Sequence, residues 1–71
     1  MLTDEIQEQL SNKVSEGWNE TDTTYIQVEG KKCIVSLANS EDKRIFERKG
    51  RWIYPGVLAL EFNGNLYRIV W

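Results

Sequence analysis

Three glycine-containing turns, each set between runs of strand-forming residues, divide residues 24–71 into short segments. The turns contain Gly30, Gly50 and Gly64, and glycine is a residue that tight hairpin turns often require. Turns at this spacing favour antiparallel strands joined by hairpins, because parallel strands need long crossover connections. We therefore predict three consecutive hairpins, over residues 24–37, 43–54 and 57–71.

The segment before the hairpins predicts a helix over residues 3–16. An apolar residue recurs there every four positions, at Leu2, Ile6, Leu10 and Val14. This spacing gives a helix one narrow apolar stripe, which suits packing against a sheet. Thr3 is a suitable N-cap, and Gly17 is placed to end the helix in the left-handed conformation.

The length of 71 residues allows one domain, so residues 1–71 are predicted to fold as a single unit. The predicted class is α+β: an N-terminal helix packed on an antiparallel β-meander of five to six strands. Two forms of this sheet stay open at this stage. The sheet closes into a small barrel in one form, and in the other it stays flat with the helix on one face.

Residue pairing in the first and third hairpins follows from their turns. A Gly30-Lys31 loop pairs Val28 with Cys33 and sets the apolar residues of both strands on one face. The third hairpin allows an Asn63-Gly64 or a Gly64-Asn65 loop, and both loops leave the same residues on each face. One of those faces carries Val57, Ala59, Leu66 and Val70. It is unusually apolar for a solvated surface, which predicts that it is either covered or an interface.

The second hairpin combines basic and aromatic residues. A three-residue loop ending at Gly50 pairs Phe46 with Trp52 and avoids setting Arg48 against Arg51, a like-charge pair that would destabilise the hairpin. In this register one strand face collects Arg44, Phe46, Trp52 and Tyr54. Single-stranded nucleic acid is often bound by such a surface, on which bases stack on aromatic rings and cations follow the phosphates.

Charge is distributed unevenly along the chain. The net charge is −2, with −6 in residues 1–29 and +4 in residues 30–71. The acidic part includes Asp4, Glu5 and Glu8 of the predicted helix. These carboxylates could dock on a basic partner surface, where electrostatic attraction speeds encounter. A plain alternative is that the acidic helix lies close to a basic sheet of the same chain.

The residues needed for catalysis are scarce in this sequence. It contains no histidine, and its single cysteine, Cys33, falls on the predicted apolar face, where a thiol is unreactive. We find no spacing typical of a metal site, a calcium loop or a phosphate-binding loop. The sequence therefore predicts no catalytic residues, no metal, no cofactor and no enzymatic activity.

Two functions are compatible with these features. The first is a small protein-binding module, a regulator, adaptor or inhibitor, that binds another protein or a second copy of itself. The second is a nucleic-acid-binding domain built on the hairpin 43–54. The candidate binding residues for the two functions together are Arg44, Arg48, Lys49, Arg51, Trp52, Tyr54, Asp4, Glu5 and Glu8. One cysteine and the lack of a long apolar segment predict a cytoplasmic protein without membrane contact.

Overall fold

The computed structural model describes residues 2–71, which form two helices and five strands. In chain order these elements are α1 (Leu2–Ser15), β1 (Thr24–Val28), β2 (Lys31–Leu37), α2 (Ser40–Lys49), β3 (Trp52–Tyr54), β4 (Val57–Phe62) and β5 (Asn65–Val70). All strand pairs are antiparallel, in the spatial order β1-β2-β5-β4-β3. The predicted α+β class is confirmed. The sheet is open, with β1 and β3 at its edges, and β2 lies beside β5 instead of following a simple meander.

Helix α1 covers one face of the sheet and forms the main core with it. Ile6 and Leu10 of the predicted stripe are fully buried. They pack against apolar side chains of β1, β2, β4 and β5, namely Ile26, Val28, Cys33, Val35, Leu58, Leu60, Tyr67 and Ile69. The helix ends as predicted, with Gly17 at a φ of 99°. The Trp18 amide donates to the Lys13 carbonyl at 2.9 Å, and this turn packs the Trp18 indole against the core.

The predicted hairpin over residues 43–54 is wrong, because residues 40–49 form α2 and only Trp52–Tyr54 form a strand. Asn39 caps the helix in a capping box: its side chain accepts from the Asp42 amide, and the Asp42 carboxylate accepts from the Asn39 amide. Acidic residues lie in the first turn and basic residues in the last, which suits the helix dipole. The Gly50 amide closes the last turn by donating to the Phe46 carbonyl. These terminal interactions stabilise a helix where the predicted strand had only weak alternation.

Helix α2 packs on the opposite face of the sheet from α1, against β3 and β4. A second, small buried group lies beneath it and consists of Asp42, Ile53 and Ala59. Asp42 is 1% exposed, and its Oδ2 lies 3.6 Å from Nη1 of Arg68 on β5. The protein therefore has three layers: a helix, a sheet and a second helix that is held by a buried carboxylate.

Two of the three hairpins, β1–β2 and β4–β5, use a two-residue turn of the same type. Their loops are Glu29-Gly30 and Asn63-Gly64, with all four residues at positive φ, which is the type I′ conformation. The predicted Gly30-Lys31 loop is therefore wrong, and Ile26 pairs with Cys33. Because this shift is two residues, each side chain keeps its predicted face. In the β4–β5 hairpin the loop is Asn63-Gly64, which is one of the two predicted alternatives.

Candidate functional site: a cross-strand row

The α2 face of the sheet is only partly covered. Helix α2 lies over β3 and β4, and the part of this face formed by β1 and β2 has no helix above it. Two large apolar side chains are consequently exposed there: Tyr25 retains 50% of its accessible surface and Ile34 retains 42%. On the α1 face, by contrast, the neighbouring residues Ile26 and Val35 are buried. The uncovered part of the α2 face therefore presents two adjacent exposed apolar side chains.

Five residues of this face form one continuous line across the sheet, which we call the cross-strand row. Each strand contributes one residue to the row, in the order Tyr25, Ile34, Val70, Val57 and Tyr54. Consecutive members are direct cross-strand partners, so their side chains touch or nearly touch. With strands about 4.8 Å apart, the row is about 19 Å long. A contiguous apolar strip of this kind is typical of an interaction surface, whereas isolated exposed apolar residues are common everywhere.

The two ends of the cross-strand row carry opposite charges. At the β1 end, Lys32 Nζ lies 4.5 Å from the centre of the Tyr25 ring, a cation–π contact. At the β3 end, the Tyr54 hydroxyl donates to Glu41 Oε1 at 3.3 Å. Loss of solvation, reinforced by the negative charge of Glu41, raises the pKa of Tyr54, so this hydroxyl stays protonated at neutral pH. A partner that follows the row therefore meets a cation at one end and a carboxylate at the other.

The basic and aromatic residues predicted to share one face do not come together. Arg44, Arg48 and Lys49 lie exposed on α2. A β-bulge between Trp52 and Tyr54 turns these two side chains to opposite faces of the sheet. Trp52 packs on Trp71 with ring centroids 5.7 Å apart on the α1 side, while Tyr54 contacts α2. Arg51 extends to the start of α1, where Nη1 donates to Thr3 Oγ1 at 3.1 Å.

The predicted acidic residues form no cluster with the other candidates. Asp4, Glu5 and Glu8 lie exposed on α1, away from the α2 face. Of all the predicted site residues, only Tyr54 belongs to the cross-strand row. Sequence reasoning missed Tyr25 and Ile34, because alternation placed them among polar residues on the outer face of the first hairpin. The signal that could have found them was the apolar outer face of the third hairpin, which contains Val57 and Val70.

Comparison of the chain with protein-family models, with curated proteins and with solved structures returns no match. Neither of the helices in residues 2–71 is long and apolar enough to cross a membrane. Within the same residues, no three histidine, cysteine or acidic side chains are grouped closely enough to hold a metal ion. The fold and the row define a three-layer α+β domain with one sheet face partly open.

Proposed function

We propose that this protein is a small, non-enzymatic binding module that uses the cross-strand row to bind another protein. The observation that carries the proposal is the row itself, an apolar line across all five strands whose β1 and β2 end lies outside the cover of α2. Tyrosine at both ends supports this use, because tyrosine presents a rigid apolar ring with a polar tip and is common in interface hot spots. The lack of histidine in the sequence supports a non-catalytic role.

The charges at the ends of the row give the expected partner a polarity. A complementary surface would be apolar at its centre, with an acidic group toward Lys32 and a basic group toward Glu41. Such charges would fix the orientation of the partner and increase the association rate more than the affinity. A cytoplasmic location is part of the proposal, supported by the one free, buried thiol of Cys33.

Affinity capture from cells that produce the protein, with and without nuclease, tests the proposal when paired variants are compared. The double variant Tyr25→Thr with Ile34→Thr removes apolar surface from the row and keeps good strand formers. The control, Leu37→Thr, changes a residue of similar exposure, 40%, that projects from the other side of β2. We expect a nuclease-resistant partner that the wild type and the control retain and the double variant loses.

A partner retained equally by all three proteins would contradict the proposal. Ultracentrifugation of the purified wild type identifies the case in which the partner is a second copy. In that case the mass is that of a dimer for the wild type and the control, and that of a monomer for the double variant. Circular dichroism of each variant shows whether the fold is intact.

Nucleic-acid binding is the alternative proposal, and one observation favours it. Arg44, Arg48, Lys49 and Arg51 are all exposed, the first three on α2 and Arg51 just beyond its end. Under this alternative, a single-stranded oligonucleotide binds the wild type with an affinity that falls steeply with added salt. The variant Arg48→Glu with Arg51→Glu abolishes that binding while the fold is retained. Absence of salt-dependent binding at micromolar protein would dismiss this alternative.

A further inference from the structure

The outer edge of β1 is closed by a side chain from α1. The Gln27 amide donates to Gln9 Oε1 at 3.0 Å, and Gln9 Nε2 donates to the Gln27 carbonyl. These two bonds are the ones that a neighbouring strand would make with Gln27. The Gln9 carboxamide therefore takes the place of a peptide group at an edge that would otherwise offer unpaired backbone groups.

The edge continues beyond Gln27 as a groove suited to an extended chain. In an antiparallel pair, alternate residues direct their backbone N–H and C=O groups away from the partner strand. The N–H and C=O groups of Tyr25 therefore point outward, as do those of Gln27. The groove has a volume of about 370 Å³ and is lined by Gln9, Lys13, Tyr25, Ile26, Gln27 and Lys32. Its lining has two lysines and no carboxylate. Lys13 lies on the α1 side of the edge, and Lys32 lies on the other side with Tyr25.

We propose that this edge binds an extended acidic segment of a partner as a sixth strand. The incoming strand displaces the Gln9 carboxamide, which occupies the edge in its absence. A strand paired with both Tyr25 and Gln27 makes up to four backbone hydrogen bonds, whereas the Gln9 side chain makes two. The two lysines then select acidic side chains. This inference goes beyond the proposed function, since it requires the backbone edge of β1, which shares Tyr25 and Lys32 with one end of the cross-strand row but does not need the rest of the row.

The positions of the lysines also specify the pattern of the acidic segment. Successive side chains of a strand point to opposite faces, so carboxylates that meet Lys13 and Lys32 together must be an odd number of residues apart. A second copy of the chain is a poor occupant. Pairing of two β1 edges about a two-fold axis would bring the lysines of one copy close to those of the other, which is a repulsive arrangement.

Two synthetic peptides of identical composition test the inference by NMR titration of the isotopically labelled protein. Both contain two glutamates in a background of valine and threonine; the glutamates are adjacent in one peptide and separated by one residue in the other. We expect the adjacent-acid peptide, at millimolar concentration, to shift the backbone amides of Tyr25 and Gln27 and the side-chain amide of Gln9. The separated-acid peptide binds several-fold more weakly, because it reaches only one lysine.

Three variants complete the test. Lys13→Glu with Lys32→Glu should weaken binding by about tenfold, as expected from the loss of two surface ion pairs. Gln9→Ala removes the competitor and should tighten binding severalfold. Ile34→Thr interrupts the cross-strand row and should leave peptide binding unchanged, so failure of this inference and failure of the proposed function are distinguishable.

Equal binding of the two peptides, shifts located away from β1, or no shifts at all would overturn the inference. So would insensitivity to the double charge reversal. Concentration-dependent dimerisation of the wild type with new protection of the Tyr25 amide would also overturn it, in favour of a second copy as the occupant.

Discussion

The two faces of the sheet are covered by helices that are held in different ways. On one face, α1 inserts Ile6 and Leu10 into a continuous apolar core. On the other face, the only fully buried residue of α2 is the charged Asp42. Its helix neighbours Ile45 and Phe46 are half-buried. The α1 layer is therefore held mainly by apolar burial, and the α2 layer by a capped terminus and an ion pair.

This difference explains why the α1 face has a continuous apolar core and the α2 face does not. Apolar burial is roughly proportional to area and non-directional, so it favours contact along the whole of α1. A carboxylate is directional and fixes α2 at one point, opposite Arg68. The attachment is also incomplete, since Arg68 Nε is buried without a hydrogen-bond partner among the described residues. Attachment at one point leaves the β1 and β2 part of this face open, and the Tyr25 and Ile34 end of the cross-strand row lies there.

The largest expected effect is on the α1 face. Leu10→Ala removes a fully buried side chain and leaves a cavity, which should lower the free energy of unfolding by about 2–5 kcal/mol. That is a large part of the stability of so small a domain. Urea denaturation followed by tryptophan fluorescence measures the change. The control Val14→Ala, at a site 37% exposed on the same helix, should cost less than about 1 kcal/mol. Equal losses in the free energy of unfolding for the two variants would show that buried and peripheral positions of α1 contribute alike to stability.

A smaller effect is expected on the α2 face. Asp42→Ala breaks the capping box and leaves Arg68 without its partner, which should cost about 1–3 kcal/mol. Circular dichroism should also show lost helix, because α2 has little apolar contact to hold it. Glu47→Ala, an exposed acid on the same helix, is the matched control and should be nearly neutral. If Asp42→Ala were as harmless as its control, the ion pair would not be what anchors α2.

Alkaline pH tests the α1 face through two titratable groups of its core. Burial raises the pKa of the Cys33 thiol and of the Tyr67 hydroxyl, both of which lie in the α1 core. As the pH rises, these groups lose their protons first in the unfolded chain, so the unfolded state is favoured. The urea midpoint should stay level below the ordinary pKa values, about 8.5 for cysteine and 10 for tyrosine, and fall above them. In Tyr67→Phe the fall should be shallower than in the wild type. If the urea midpoint fell as steeply with pH in Tyr67→Phe as in the wild type, Tyr67 would not contribute to the alkaline loss of stability.

The smallest effect is expected at the hairpin turns, which lie outside both helical layers. Glu29 has a φ of 52° in the same turn position that Asn63 occupies in the other hairpin, at 49°. Asparagine tolerates this left-handed conformation better than glutamate does. Glu29→Asn should therefore stabilise the protein by about 0.5–1 kcal/mol, and Asn63→Glu should destabilise it by a similar amount. Thermal denaturation measures both changes; shifts of the same sign would show that the left-handed conformation does not determine them.

Local sequence signals were enough to predict the parts of the fold with strong periodicity. The four-residue spacing of Ile6 and Leu10 predicted the first helix, and alternation predicted which strand residues face the core. The predicted turn of the first hairpin lies one position too late, because the prediction puts glycine at the first loop position. The structure instead places Glu29 there in a conformation that glutamate rarely adopts.

The second helix was missed because its evidence lies at its ends and not in an apolar stripe. The Asn39 to Asp42 capping box, followed by basic residues before Gly50, was available in the sequence. The same charges are also compatible with a hairpin register, on which the hairpin prediction rests. The predicted site depended on that hairpin, so it could not assemble. The sequence indicated only the Val57 and Val70 part of the cross-strand row, since the rest of the row depends on β2 pairing with β5, two strands that are far apart in the sequence.

The central position of β5 has a kinetic consequence. The β1–β2 and β4–β5 hairpins each close over a two-residue loop, which is a fast, local event. Pairing of Leu37 with Tyr67, by contrast, brings together residues on either side of α2 and β3 and requires a large loop to close. We expect this seam to form late and to limit the folding rate, as non-local contacts generally do. Since Ile34 and Val70 pair across the same seam, the row becomes continuous only in the last step of folding.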